Sequence, residues 1–320
     1  MRALLLASLA VAPLTAQSLD DLRRSVRDAA QSSHYATFLA GFLGLTGESE
    51  LSGARLEIDD AADTELSLFT YPLRRDVPLG AGDGAPKLRF EGDLGYAVAR
   101  VDLADAYDGQ APGFETRVKS RYEAFGGFAG VGIVVPFGAV SVTPLVVGGL
   151  AHVENTTYYQ GPGATATAAL FDGIVFNWDA TYAVYGGGLV LQHDDLVLGD
   201  VRITPRLRYD LRRSDPLSAD DPTQDEATTY EWLIARVDFE GPCGVQVADR
   251  EVHWTGEFAY KRFLDEVGDL LGFDDYFELG LGLRWGCRDL VPLLGECGLG
   301  GAVLVGEDVL GWTFGVTVRF

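Results

Sequence analysis

The chain has 320 residues, and 47 aspartate and glutamate residues outnumber 25 lysine and arginine residues, for a formal net charge of −22. Nucleic-acid binding needs a cationic face, so this acidic surplus excludes a nucleic-acid partner. No run of about 18 apolar residues occurs after the first dozen positions, which argues against a protein that crosses a membrane with helices.

The first 16 residues have the features of a secretory signal peptide. Met1 and Arg2 form a short basic start, residues 3–12 are almost entirely apolar, and small residues follow up to Ala16. A run of this length is too short for a spanning helix. We therefore predict export, with residues 1–16 as the signal peptide; a buried N-terminal helix is the alternative.

A short amphipathic helix is predicted within the lead-in segment 17–50. Leu19, Leu22 and Val26 recur at helical spacing up to about Gln31, and Ser18 is suited to cap the first turn. The opposite face is charged. If the following region forms a barrel, this helix either plugs the lumen or packs at the periplasmic mouth, and the residues favour neither position.

Residues 51–320 read as a series of strands separated by turn-rich segments. The predicted strands are 51–58, 65–75, 87–103, 117–135, 138–153, 179–192, 200–212, 228–240, 251–263, 275–287, 297–305 and 309–320. Several exceed the roughly 10 residues with which a tilted strand crosses a bilayer. Exposed strand edges cannot exist in hydrocarbon, so strands that face lipid must close into a barrel.

The last ten residues show the clearest alternation. Small or polar residues occupy the odd positions, and the even positions from 310 to 320 are apolar, with aromatic side chains at both ends of the series. A two-residue period gives a strand one apolar face and one polar face, and flanking aromatics are typical of a face in lipid. We therefore predict an all-β fold: a transmembrane antiparallel β-barrel of about 12 strands, with a short N-terminal helix in or near its lumen.

The predicted inner face carries charges of both signs. The charges assigned to the lumen are Arg202, Arg206, Arg208, Arg212, Glu123, Glu257, Glu278 and Arg284. The four arginines of strand 200–212 suggest an anion-preferring channel. The alternative is a structural network in which the glutamates neutralise the arginines, since unpaired charges in a narrow lumen lose solvation.

Three cysteines, Cys243, Cys287 and Cys297, fall on the same predicted side, the periplasm. Exported chains form disulfides. We hypothesise that Cys287 and Cys297 close the turn between the tenth and eleventh strands, with Cys243 as the rival partner. No spacing suggests a metal site, and we expect no cofactor. An even strand count returns both termini to the periplasm.

Two stretches resemble known outer-membrane proteins. The end Gly311–Phe320 resembles the C-terminal assembly signal of bacterial outer-membrane barrels, and Ser52–Asp59 followed by Asp63–Leu66 resembles the start of solitary, passenger-less autotransporter-like barrels. The residues that match the assembly signal are Trp312, Phe314, Val316, Val318 and Phe320. The resemblance implies an integral outer-membrane barrel that contacts lipid and the barrel-assembly machinery. No Asn-Asn cleavage pair precedes the strands, so passenger export is not implied.

The residues contain no recognisable catalytic arrangement. There are four histidines and no GxSxG motif, and His152 beside Glu154 is the one histidine expected near the extracellular rim. We therefore expect a non-enzymatic barrel, either a narrow or plugged pore of unknown solute or a structural surface protein. A barrel lipase or protease with a site at the extracellular rim is the alternative.

Overall fold

The computed structural model describes most of the chain. The described residues are 18–30, 53–58, 64–82, 84–104, 113–194, 196–247, 250–265, 273–287, 295–307 and 309–319. The predicted signal peptide, most of the lead-in segment and Phe320 lie outside these ranges. Neither helix in the described ranges has the length and apolar character needed to cross a bilayer.

Two α-helices and thirteen strands make up the described chain. The helices are α1 (Leu19–Ala30) and α2 (Ala164–Phe171). The first seven strands are β1 (Gly53–Ile58), β2 (Thr64–Pro78), β3 (Lys87–Leu103), β4 (Arg117–Phe137), β5 (Val140–Gln160), β6 (Trp178–His193) and β7 (Leu196–Leu198). The others are β8 (Val201–Ala219), β9 (Thr228–Val247), β10 (Arg250–Phe263), β11 (Asp275–Gly286), β12 (Glu296–Val305) and β13 (Val309–Arg319).

Twelve of these strands form a closed antiparallel barrel, which confirms the predicted fold class. Strands pair with their neighbours in chain order, β6 pairs with β8 across the three-residue β7, and β1 pairs with β13, where Ala54 lies opposite Thr313. Each predicted strand matches one of the twelve. The additional strand β7 lies in a predicted connection and pairs with β8 alone.

The outer face carries a continuous apolar belt. The outward side chains of β11 run from Phe277 to Trp285, and Leu281 at the centre is 75% exposed. In β13, Trp312, Phe314 and Val316 are likewise more than half exposed. Water would not tolerate so large an apolar surface, whereas lipid solvates it. The nine residues from Phe277 to Trp285 match the length that a tilted strand needs to cross the hydrocarbon.

The wall extends beyond this belt at one end. We call the end of the barrel at Arg319 the proximal end and the opposite end the distal end. Strands β4 and β5 have 21 residues each, about twice the length needed to cross the bilayer, and their extra residues lie at the distal end. At the proximal end the same two strands meet in a two-residue turn, in which Gly138 has a φ of +68°.

All three cysteines lie at the proximal end. Cys287 and Cys297 are joined by a disulfide with their Cα atoms 5.8 Å apart, across the connection between β11 and β12. Cys243, near the proximal end of β9, is half-buried and is joined to neither of them.

Candidate functional site: the barrel interior

The interior changes from charged to apolar along the barrel axis. On β3 the inward-facing residues Arg89, Glu91 and Asp93 occupy the proximal half, and alanine, valine and leucine follow on the same face from Ala97 to Leu103. Strand β9 repeats this order, with Tyr230, Trp232 and Ile234 in the distal half and Arg236 and Asp238 in the proximal half. The interior is therefore neither uniformly polar, as in an open porin, nor uniformly apolar.

A first cluster of ion pairs in the proximal half is centred on Asp210, whose side chain is completely buried. Arg208 binds both carboxylate oxygens of Asp210 and also contacts Glu91 at 3.1 Å. Arg212 lies 3.5 Å from the same aspartate, and its guanidinium lies 5.0 Å above the ring of Trp232. Two carboxylates, Asp210 and Glu91, thus face the two arginines at the boundary with the apolar half.

A second cluster lies on β9, β10 and β11. Arg236 contacts Glu257 at 2.8 Å, and the ammonium of Lys261 contacts Glu278 at 2.7 Å. The same ammonium lies 5.5 Å above the ring of Tyr276. Two of the three glutamates predicted in the lumen, Glu257 and Glu278, therefore face inward, next to cations of neighbouring strands.

The remaining predicted lumen charges lie nearer the proximal end. Arg284 contacts Glu240 and also Glu296, the latter at 3.2 Å, and Arg206 lies 3.8 Å from Asp238. Arg202 shares the inward parity of Arg206 but is exposed at the proximal end of β8. Apart from Arg202, each predicted arginine of the interior thus has a carboxylate within 4 Å.

The assignment of Glu123 to the lumen is wrong. On β4 the inward positions are the even ones, including Tyr122 and Ala124, so Glu123 projects from the outer face. There it accepts hydrogen bonds from the Tyr96 hydroxyl and from Arg121. Within the membrane belt the polar face of a strand is the inner one, whereas beyond the belt it is the outer one. Glu123 lies beyond the belt, so its polar character does not place it in the lumen.

The distal half of the interior is filled with apolar side chains. The connection between β5 and β6 folds inward and carries Phe171, Ile174 and Phe176, each at most 1% exposed. They join wall residues in one buried cluster. The aromatic wall members are Tyr122, Phe128, Trp178, Tyr182, Tyr230, Trp232, Phe263 and Tyr276. Within the described ranges, these side chains pack against one another as in the core of a soluble protein.

Polar side chains fix the inward-folded connection. Tyr159 donates to the Asp172 carboxylate at 2.6 Å, and the Asn177 amide donates to the same carboxylate at 2.7 Å. On the other side, Gln224 of the 3₁₀ turn Pro222–Gln224 donates to the Ile174 carbonyl. The connection is thus tied to two parts of the distal rim.

Helix α1 begins at the predicted cap. The Asp21 backbone N–H donates to the Ser18 hydroxyl at 3.2 Å, and the Ser18 hydroxyl donates to the Asp21 carboxylate at 2.8 Å. This reciprocal bonding stabilises the first turn. The hydrogen bonds from Ser18 also hold the pKa of Asp21 below its ordinary value.

Helix α1 docks at the distal end. The Arg23 guanidinium donates to the carbonyls of Ala169 at 2.6 Å and Asp172 at 2.8 Å, so it caps the C-terminal end of α2. Arg27 forms an ion pair with the buried Asp221 at 2.8 Å, and Val26 joins the apolar cluster. Helix α1 therefore lies at the distal end, opposite the carboxyl end of β13, whereas the two predicted positions for this helix were the lumen and the periplasmic mouth.

Removal of Arg23 should release this helix. We expect Arg23→Ala to weaken docking by about 1.5–3 kcal/mol, because two hydrogen bonds from a charged donor are lost. An undocked helix of 12 residues is unstable on its own. Amide hydrogen exchange across residues 19–30 should therefore accelerate by about tenfold or more.

Arg24→Ala is the matched control, because Arg24 is 68% exposed and pairs with Asp21 inside the same helix. It should leave the exchange rates within about twofold. Equal acceleration in both variants would contradict the docking contacts described above.

The predicted rim histidine lies on the outer wall of the barrel. His152 projects from the outer face of β5, where its Nδ1 lies 3.0 Å from the Thr181 hydroxyl. No group of three His, Cys, Asp or Glu side chains among the described residues is arranged to hold a metal ion.

Comparison with known proteins identifies relatives of the barrel. The family model for the solitary outer membrane autotransporter beta-barrel domain matches residues 59–316. No curated protein matches the sequence. The structure is similar to the beta domain of the Bordetella autotransporter BrkA, with 15% identity, 84% of this chain and 97% of that chain covered, and a TM-score of 0.49.

Two further solved structures are similar to this chain. The translocator domain of the autotransporter NalP from Neisseria meningitidis has 13% identity, with 93% of this chain and 99% of that chain covered and a TM-score of 0.47. The transport unit of the autotransporter AIDA-I from Escherichia coli has 12% identity, with 91% and 99% covered and a TM-score of 0.48.

Proposed function

This chain belongs to the family of solitary outer membrane autotransporter β-barrel domains, and from that premise we propose that it acts as a closed, non-enzymatic structural protein of the outer membrane. It spans that membrane as an integral barrel. The observation that carries the proposal is the filled distal interior, where Phe171, Ile174 and Phe176 pack against the wall and Val26 of α1 joins them.

The charge balance of the proximal interior also supports a closed barrel over an anion channel. Eight basic side chains of this half each have a carboxylate within 4.0 Å: Arg74, Arg89, Arg206, Arg208, Arg212, Arg236, Lys261 and Arg284. Arg202 is exposed at the proximal end of β8. An anion-selective filter needs uncompensated positive charge along its path. Most of these pairs join strands that are close together in the wall, and the pair of Arg208 on β8 with Glu91 on β3 links opposite sides of the barrel.

We propose that the proximal end faces the periplasm and the distal end faces outside. Short turns are typical of the periplasmic side of such barrels, and the two-residue turn between β4 and β5 lies at the proximal end. In this orientation the disulfide Cys287–Cys297 is periplasmic and α1 lies at the outer mouth. The barrel-assembly machinery is the expected partner of the terminal strand, and lipid surrounds the belt.

Planar-bilayer recording tests the seal. We expect the full chain to give no stepwise conductance, because apolar side chains fill the distal interior. A variant that lacks residues 18–30 and carries a short Gly-Ser linker in place of residues 162–175 should open discrete channels.

Heat-dependent gel mobility establishes that both proteins are folded barrels before recording. Discrete channels in the unaltered chain would reject the sealed barrel. If deletion of residues 18–30 alone opened channels, the seal would be α1 rather than the connection between β5 and β6.

A further inference from the structure

Four tyrosines mark the distal edge of the membrane belt. Each projects from the outer face and donates its hydroxyl to a carboxylate on the next strand of the barrel wall, one step farther toward the distal end. The pairs are Tyr96 with Glu123, Tyr185 with Asp215, Tyr209 with Glu231 and Tyr260 with Asp275. Tyrosine rings with a polar partner on one side are typical of the boundary between hydrocarbon and headgroups.

A group of basic side chains lies just beyond this boundary, on one side of the barrel only. We call it the basic wall patch, and its members are Arg55, Arg100, Arg117, Lys119 and Arg121. All five project outward from β1, β3 and β4, and each side chain is between 41% and 54% exposed. Arg121 also lies within 3.5 Å of the Tyr96 hydroxyl, which places the patch at headgroup level.

Two arginines of the patch face each other across neighbouring strands, and their mutual repulsion destabilises the fold unless an anion lies between them. Arg100 and Arg121 are direct cross-strand partners, and like charges in this position repel. Their carboxylates lie to the sides: Glu65 is 3.7 Å from Arg100, and Glu123 is 2.8 Å from Arg121. No described carboxylate stands between the two guanidinium groups in the register of β3 and β4.

The other members of the patch share their carboxylates. Asp102 contacts both Arg117, at 2.6 Å, and Lys119, at 3.7 Å. Glu65 contacts both Arg55 and Arg100. Arg55 also contacts Glu57 at 3.8 Å, so the five basic side chains of the patch face four carboxylates, Glu57, Glu65, Asp102 and Glu123. The patch keeps a surplus of one positive charge, on a chain that is strongly acidic as a whole.

We propose that the basic wall patch binds the phosphate groups of lipid A in the leaflet at the distal end. Guanidinium and ammonium groups are the natural partners of phosphate oxygens. A phosphate between Arg100 and Arg121 would relieve their repulsion, and Lys119 is close enough along β4 to reach a second one. The choice of lipid A rests on the orientation proposed above, in which the distal end faces outside.

The binding test compares lipid A with its dephosphorylated form. Full-length protein in detergent is titrated with each lipid, and bound lipid is counted by native mass spectrometry. The triple variant Arg100→Gln, Lys119→Gln, Arg121→Gln should bind lipid A on the order of 100-fold more weakly at low salt. The unaltered protein should prefer lipid A to the dephosphorylated form.

The matched control is Arg213→Gln, Arg262→Gln, which removes basic side chains beside two of the other tyrosine pairs. It should bind lipid A within about twofold of the unaltered protein. Unchanged binding by the triple variant, or equal loss in the control, would overturn the proposal. So would displacement of lipid A by millimolar inorganic phosphate, because the site would then take free phosphate.

Further measurements control for folding and separate lipid binding from the closed-barrel proposal. Heat-dependent gel mobility and unfolding temperature without lipid must match between the variants, so that lost binding is not lost folding. Conductance reports on the seal and does not involve the outer wall, so the closed-barrel proposal can fail while lipid binding succeeds. A preference for phosphatidylglycerol over lipid A would overturn the choice of lipid.

Discussion

Replacement of Leu281 by arginine should destabilise the folded barrel by about 2–4 kcal/mol in phospholipid vesicles, because the substitution places a charge at the centre of the apolar belt. Leu281 is 75% exposed, midway between Phe277 and Trp285 on the outer face of β11. Since no close packing is lost at so exposed a position, the effect isolates the cost of a charge in hydrocarbon. The measurement is reversible denaturant unfolding in vesicles, followed by tryptophan fluorescence.

Leu217→Arg is the matched control. Leu217 is 62% exposed on β8, beyond the boundary marked by Tyr209, so the same substitution there meets water. We expect a change within about 0.5 kcal/mol. Equal destabilisation at both positions would mean that the belt is not in lipid.

Asp210→Asn should cost about 3–5 kcal/mol, because it removes one partner of a buried ion cluster. Asp210 accepts from Arg208 at 3.0 Å and lies 3.5 Å from Arg212, and all three side chains are nearly or fully buried. The substitution preserves shape and removes the charge. Arg208 would keep Glu91, whereas the ion pair of Arg212 with Asp210 would be lost. Unfolding in the same vesicles measures the loss.

Asp102→Asn provides the comparison for this second prediction. Asp102 also contacts two cations, Arg117 and Lys119, but on the exposed outer wall. Screened surface pairs contribute little, so we expect a loss below about 1 kcal/mol. Similar losses at positions 102 and 210 would show that burial does not determine how much the interior ion pairs contribute to the free energy of unfolding.

Local pattern was sufficient to predict the architecture. The two-residue period in segments such as 275–287 and 309–320 predicts strands with one apolar face. The length of the strands indicates that this face contacts lipid rather than a protein core. In the structure these apolar faces point outward, and Trp312, Phe314 and Val316 are exposed as predicted. The cap of α1 at Ser18 was also readable, because capping depends on residues within one turn.

The filled distal interior was not predicted from the sequence, although the pattern of apolar residues along the strands indicates it. On β3 the apolar residues occupy even positions from Leu88 to Val98 and odd positions from Ala97 to Leu103, so the alternation changes phase. Such a change is expected where a wall leaves lipid and encloses its own core. The same change on β4 explains why Glu123 was assigned to the wrong face.

Strand identity, strand order and the lipid-facing side chains follow from the chain alone, because alternation and length act between residues close in sequence. The ion pairs inside the barrel could be assigned only from the closed structure. Arg208 meets Glu91 across 117 positions of sequence, and Arg27 meets Asp221 across 194. Periodicity assigns a side chain to a face, but only the closure of β1 on β13 and of β6 on β8 brings the opposite walls, and the helix at their distal end, within bonding distance.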